Sequence, residues 1–453
     1  MTFANGRISG SSTACGMTSN SATPQLHAGS AWLRGFAPLR LFLLAAPGSL
    51  LPALLALAGC ATAPTEYHEP PPLAATARRD HNLKVFDRAW SLVNAKYFDA
   101  KFRGVDWAAQ RAKYRPAAAA APDEEALYRV LNDMNAELKE SHLAALAPRR
   151  THERETDHKA AVGIRWLLVE HQRVIDDVIP DGPAARAGVQ TGWIVVSRDG
   201  GPIPENDHYV AHLGQPVSYG FLDRRDGRHS LTFEPRLLNF VRRDAQVLPP
   251  GILYLRFDQF DVDSLRWLSD RLKAHRDAPA VIIDLRSNPG GNAVILSLAV
   301  AEFFNHRVDE GRLIKRNGTE REERSFSWFS AHYRGEVVIL TSSRTGSAAE
   351  IFSHVLQHHH RARLVGRPTA GAVIYARAWS LPGGGSIQVP VIDYVGLDGQ
   401  RIEGHPVQPD VVVPPPSLAD LRAGHDPDLD AALKLLHRAS LAGRVPALSR
   451  ASR

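Results

Sequence analysis

The sequence predicts a multidomain α/β protein with a helical N-terminal region, and three observations lead there. Val281-Ile282-Ile283-Asp284-Leu285 and Val337-Val338-Ile339-Leu340 are short β-branched apolar runs, each followed by a glycine- or serine-containing loop and then a helical apolar segment. Val85, Phe86, Trp90, Val93 and Tyr97 recur at helical spacing. The chain has 453 residues, of which 44% are hydrophobic and 23% charged, enough for two or three globular domains.

Taken in order, residues 1–59 hold Arg7, Arg34 and Arg40 and no acidic residue. An uncharged apolar run over 41–59 ends at Leu57-Ala58-Gly59-Cys60. Basic residues, an apolar run and small residues before a cut are signal-peptide features. Here they resemble a bacterial lipoprotein signal, cleaved before Cys60 with lipid carried on that cysteine. A membrane-spanning anchor is the competing reading, and Pro47, Pro52 and the terminal cysteine argue against it. Translation from Met17 would shorten the long stretch before Arg34. Cleavage removes Cys15, so the mature chain holds one cysteine and no internal disulfide. It also removes three arginines and no acid, lowering the formal charge from +6 to +3. That balance, with no basic stripe carrying interleaved aromatics, excludes a nucleic-acid argument.

Residues 60–80, with Pro70-Pro71-Pro72, read as a tether. Residues 81–150 read as a helical region, broken by the stretch from Pro116 to Pro122 and restarted at Asp123-Glu124-Glu125. An α/β core over 245–416 opens with a strand near 251–257 and an amphipathic helix near 265–275. Residues 417–453 form a C-terminal helical tail after Pro414-Pro415-Pro416. No internal repeat is present.

The chemistry concentrates in two loops. Thr341 to Glu350 links a strand to a helix, so Ser347 sits where backbone N–H groups are free and the helix dipole is positive. A serine there either caps the helix or acts as a nucleophile whose developing charge the helix start stabilises. Arg286-Ser287-Asn288-Pro289-Gly290-Gly291 follows the other strand, and paired glycines let a backbone approach a ligand. In an open α/β sheet both loops can meet at the carboxyl ends of adjacent strands.

Together these segments resemble the C-terminal-processing and tricorn-core family of serine peptidases. Asp284-Leu285-Arg286-Ser287-Asn288-Pro289-Gly290-Gly291 is similar to its oxyanion loop, Gly346-Ser347-Ala348-Ala349-Glu350 to its nucleophile motif, and Val365-Gly366-Arg367-Pro368-Thr369-Ala370-Gly371 to the strand and turn that follow. The resemblance implies an α/β catalytic domain of the tricorn-core (ClpP/crotonase-like) kind. The processing branch carries a lysine base where Ala372 stands, and no lysine lies between Lys315 and Lys434. The tricorn-like branch uses histidine, and Glu140-Ser141-His142-Leu143 and Glu403-Gly404-His405-Pro406 resemble its histidine and glutamate motifs. The resemblance then implies Ser347 as nucleophile, His142 as base, Ser141 and Glu403 as its orienters, and Gly290 or Gly291 with Ala348 as oxyanion donors. An imidazole with an unperturbed pKa of about 6.5 would make activity rise near pH 6–7.

Residues 155–240 resemble a PDZ-like β-rich domain. Val162-Gly163-Ile164-Arg165-Trp166 is similar to the carboxylate-binding loop and strand, and Pro183-Ala184-Ala185-Arg186-Ala187-Gly188-Val189 to the short helix and turn. Gly163 and Ile164 would bind a peptide by strand addition; the alternative is a spacer. Glu350, His354 and His358 share a helix face, a conceivable metal set; the alternative for the histidines is the solvated end of a helix, and no metal or other cofactor is expected. The expectation is a lipid-anchored serine endopeptidase of the bacterial envelope, on the outer membrane facing the periplasm. Its partners would be peptide or protein substrates, held in part by their C-terminal carboxylates. The alternative is a silent peptide- or lipid-binding protein on the same fold.

Overall fold

The structure, a computed structural model, describes residues 66–205, 209–327 and 332–442. The signal segment, Cys60 and the end of the C-terminal tail lie outside the described residues.

Helices Ala75–Lys96, Trp107–Ala120 and Glu124–Ala136 form the N-terminal region. Val85, Phe86, Val93 and Tyr97 are buried there with Leu127, Leu131 and Met134. Two expectations are corrected. The first helix begins inside the expected tether, because Ala75-Thr76-Ala77 is already good helix-forming sequence. The second helix runs through Pro116 to Ala120 instead of breaking. Its alanines favour the helix, and the Asn82 side chain donates to the terminal carbonyls of Ala118 (3.0 Å) and Ala121 (2.9 Å). Asp123 caps the third helix, accepting from Ala126 N–H, as its place before two glutamates predicts.

The middle region is a five-stranded antiparallel sheet, in chain order from Ile164–Val169 to Arg228–Phe233, with a short helix at Pro183–Arg186. Among the described residues Ile164–Val169 is an edge strand, paired only with Gln172–Val178. Gly163 precedes it at φ 90°, where an L side chain would be strained.

The core is a six-stranded sheet. Strands Ile252–Phe257, Ala280–Asp284, Glu336–Thr341, Arg363–Gly366 and Val411–Val412 run parallel, with Arg243–Leu248 antiparallel at one edge. Alternate residues split between faces. Leu253, Val281, Ile283 and Ile339 pack on helices Val262–Ala274, Ala293–Ala301 and Ala348–His358. Tyr254, Ile282, Val338 and Leu340 pack on the other side against Ala432 and Leu436 of helix Pro427–Ala442. The expected C-terminal tail is therefore a layer of the core, pinned by Asp428 to Arg367 (2.6 Å) and Arg286 (2.9 Å).

A second sheet unites core and N-terminal region. Strand Ser386–Val395 pairs with Asp309–Lys315, with Tyr375–Ser380 and with Ala144–Leu146. The stretch before Ala144 reads as helix in sequence; in the structure Glu140-Ser141-His142 is a turn and Ala144–Leu146 a strand. Pairing with Ser386–Val395 overrides the local helical pattern and sets His142 beside the core.

Candidate active site

Strands Ala280–Asp284 and Glu336–Thr341 are neighbours, so their C-terminal loops lie side by side, as the switch from strand to loop predicts. Asn288, fully buried, locks them together. Its side chain donates to Phe257 O (2.9 Å), its carbonyl accepts from Gly346 N–H (3.0 Å), and its Oδ1 accepts from Gly290 N–H (2.8 Å). A side chain on Gly290 would meet Ser347 Cβ at 2.6 Å, which only glycine avoids. The Gly290 N–H is committed to Asn288, which leaves Gly291 as the candidate of the two glycines for the expected oxyanion role.

Ser347 starts helix Ala348–His358 with φ 52° and ψ −120°, a strained conformation for a serine. The strain is held from below by Glu350. Its buried carboxyl accepts from Ser347 N–H (2.9 Å), Ala372 N–H (2.9 Å), Gly371 N–H (2.7 Å) and the Thr369 hydroxyl (2.5 Å). Burial pushes this carboxyl up to about 7, against those four donors. Ala372 O also accepts from Ser347 N–H at 3.0 Å. The position expected for a lysine in the related branch thus serves the turn through its backbone. Sequence reading weighed Glu350 only as a metal ligand and missed this role.

His142 Nε2 lies 3.1 Å from Ser347 Oγ. His142 Nδ1 lies 2.7 Å from Ser141 Oγ, which donates to Glu403 Oε2 at 2.8 Å; Ser141 N–H donates to Glu403 Oε1 at 2.7 Å. Since the Ser141 hydroxyl gives its proton to the carboxylate, it accepts from Nδ1–H, and Nε2 is left as an acceptor toward Ser347. Burial pushes the imidazole down to about 4, with Glu140 pulling the other way. His142 is therefore neutral at pH 7, and burial moves its transition below the pH 6–7 of an unperturbed imidazole.

One layer back, Glu140 accepts from Tyr97 OH (2.8 Å) and from Arg103 (2.9 Å), and pairs with Arg401 at 3.3 Å. Arg401 also pairs with Asp393 at 2.7 Å and stands two residues before Glu403. No sequence signal joins Arg401 to Glu140, because their contact exists only after folding. A cavity of about 70 Å³ opens at Ser347, lined by Leu296, Ile351, Val373 and Ile374 with His142 and Gln388. It is apolar and shaped for a side chain.

A strained serine at a helix start, a buried neutral imidazole against its hydroxyl and two backbone N–H groups beside it define a serine hydrolase site. The family profile described as Peptidase family S41 matches residues 251–413, and that of the Tricorn protease C1 domain matches residues 79–136. The carboxyl-terminal-processing protease of Synechocystis sp. is 27% identical over 379 residues, covering 78% of this chain and 86% of its own. A solved photosystem II D1 C-terminal processing protease superposes with a TM-score of 0.52 at 21% identity, over 78% of this chain and 97% of that one. A mature CPAF structure superposes at 0.55 with 12% identity, over 82% and 99%. These matches, over the α/β core and the N-terminal helices, make the chain a serine peptidase similar to peptidase family S41.

Proposed function

We propose that the protein is a lipid-anchored carboxyl-terminal-processing endopeptidase that works through Ser347, His142, Ser141 and Glu403. The 3.1 Å approach of His142 Nε2 to Ser347 Oγ, backed by the Ser141–Glu403 relay, carries this reading. Ser347 Oγ bonds to the substrate carbonyl carbon while its proton passes to Nε2. The carbonyl oxygen becomes an oxyanion against Gly291 and Ala348 N–H. His142 then protonates the leaving amine, the C–N bond breaks and an acyl-enzyme remains. Water, deprotonated by the same nitrogen, releases the acid. Ser141 and Glu403 hold the tautomer and stabilise the imidazolium.

The middle domain is read as PDZ-like, with Gly163 and Ile164 at the head of a free edge strand to which a substrate tail can add. Cys60 is read as the lipidated N-terminus, placing the enzyme on the envelope membrane facing the periplasm. Among the described residues no helix is long and apolar enough to cross a membrane. A fluorophosphonate probe applied to wild type and Ser347→Ala tests the core of the reading. Labelling and peptide hydrolysis in wild type alone are expected; hydrolysis that survives Ser347→Ala would overturn it.

A further inference from the structure

A second cavity, of about 610 Å³, starts at Ser141 and His142 and runs past Gln388 to the edge strand at Gly163, Ile164 and Trp166. It shares His142 and Gln388 with the cavity at Ser347, so the two form one cleft. Two cations on its wall stand out. Arg154 lies near the end of helix Pro148–Thr156, and Lys159 on strand His158–Ala161. Arg154 Nη1 donates to Gln388 Oε1 at 3.0 Å, and Gln388 lies opposite Ala144, two residues from His142. The Lys159 ammonium sits 4.3 Å from the centre of the Phe240 ring. Among the described residues neither has an ion-pair partner.

The other arginines of the cleft have acidic neighbours. Arg165 meets Asp177 and Asp258, Arg344 meets Asp176 at 2.9 Å, and Arg150 lies 3.9 Å from Glu153. Asp157 is pushed up by burial, with Asp261 adding to it and His158 and Arg243 pulling the other way. Burial also pulls Arg154 down, and pulls Lys159 down to about 8 with Arg150 adding to it. Glu155 near Arg154 and Glu153 near Lys159 offset only part of that burial, with no ion pair formed, and an incoming anion would offset more of it. The guanidinium has one N–H on Gln388 and a free fork left for a planar carboxylate.

We infer that Arg154 and Lys159 form a carboxylate-binding subsite beside Gln388, which takes either the C-terminal α-carboxylate or an acidic side chain of the polypeptide being cut. The inference rests on the serine-peptidase reading and deepens it. It places anion recognition on side chains next to the catalytic histidine, apart from the backbone loop at Gly163.

The test uses peptides of one sequence in three forms: free acid, C-terminal amide, and amide with an added aspartate. Their Kd values are measured on the full chain carrying Ser347→Ala, alone and combined with Lys159→Met, Arg154→Lys, or Arg154→Met plus Lys159→Met. Charge-assisted contacts predict that one anionic form binds about tenfold more tightly than the plain amide. The preferred form tells an α-carboxylate from a side chain. The preference should fall in Lys159→Met, fall to near one in the double variant, and survive in part in Arg154→Lys. Should the double variant not fold, the Lys159→Met ratio decides. Equal binding of all three forms, or a preference untouched in the variants, would overturn the subsite and return anion binding to the Gly163 loop. Probe labelling of wild-type Ser347 is read in parallel. Labelling without anion preference sinks only the subsite, whereas anion preference without labelling sinks the catalytic reading.

Discussion

The Ser347 half and the His142 half of the proposed active site are built in different ways. Ser347 is held by groups of its own layer: Glu350 three residues on, Gly371 and Ala372 in the following turn, and Asn288 on the adjacent strand's loop. His142 comes from the N-terminal region, 205 residues away in sequence, and its orienting Glu403 is 262 residues from Ser141. The first half is a rigid turn on a buried parallel sheet. The second is a junction between two parts of the chain, kept in register by three-residue pairing of Ala144–Leu146 and by the Glu140–Arg401 ion pair. Damage to the first half should therefore be structural as well as chemical. Damage to the second should move proton transfer and leave the fold standing.

The largest effect expected is from Ser347→Ala, which should reduce kcat by about 10⁴-fold or more. Its melting temperature should stay close to wild type, because only the Oγ is lost. Next comes His142→Ala, with a loss of at least about 10³-fold. Wild-type kcat/KM should rise with pH as His142 loses its proton near about 4 and stay level through neutrality. That low proton affinity also sets a stability trend. Between about 4 and the ordinary 6.5 the unfolded chain binds a proton that folded His142 does not. Stability therefore rises with pH across that window and is lost on acidification. A pH–rate profile that rises only above about pH 9 would point to a base other than histidine.

Glu350→Gln sharpens the comparison from the nucleophile side. An amide cannot accept from all four donors, and its NH₂ would face backbone N–H groups. A loss of about 1–3 kcal/mol in stability is expected together with about a hundredfold in kcat. Chemical denaturation and turnover measured on one preparation check both. Arg401→Ala probes the junction and should have the smallest effect. Loosening Glu140 and the neighbouring Glu403 loop should lower kcat about tenfold with little change in KM or melting temperature. Arg401→Lys should recover part of it. A collapse in stability without a kcat effect would show that Arg401 serves only the fold.

How much was legible in the sequence follows the same division. Strand, turn and helix around Ser347 and the paired glycines are local features, written in β-branched runs, small residues and helix periodicity, so they could be read before folding. Ser141, His142 and Glu403 were legible only through resemblance to a family, since no local pattern distinguishes a histidine in a turn from one on a surface. Other features had no local signal at all. The Glu140-Ser141-His142 segment reads as helix and folds as a turn because a strand of the core captures Ala144–Leu146. In the sequence Gly290 and Gly291 read as equal candidates for an oxyanion donor, and only folding ties the Gly290 N–H to Asn288. The tail after residue 417 reads as an appendage and covers one face of the sheet.

What the sequence by itself determined, then, is the order of the regions and the placement of the nucleophile, because residues within one turn of each other meet whatever the rest of the chain does. The tertiary structure alone decided which glycine amide is tied to Asn288, which way burial moves the proton affinity of His142, and which cations of the cleft have no ion pair among the described residues. Those properties depend on what is packed around a group, and packing brings together residues hundreds of positions apart.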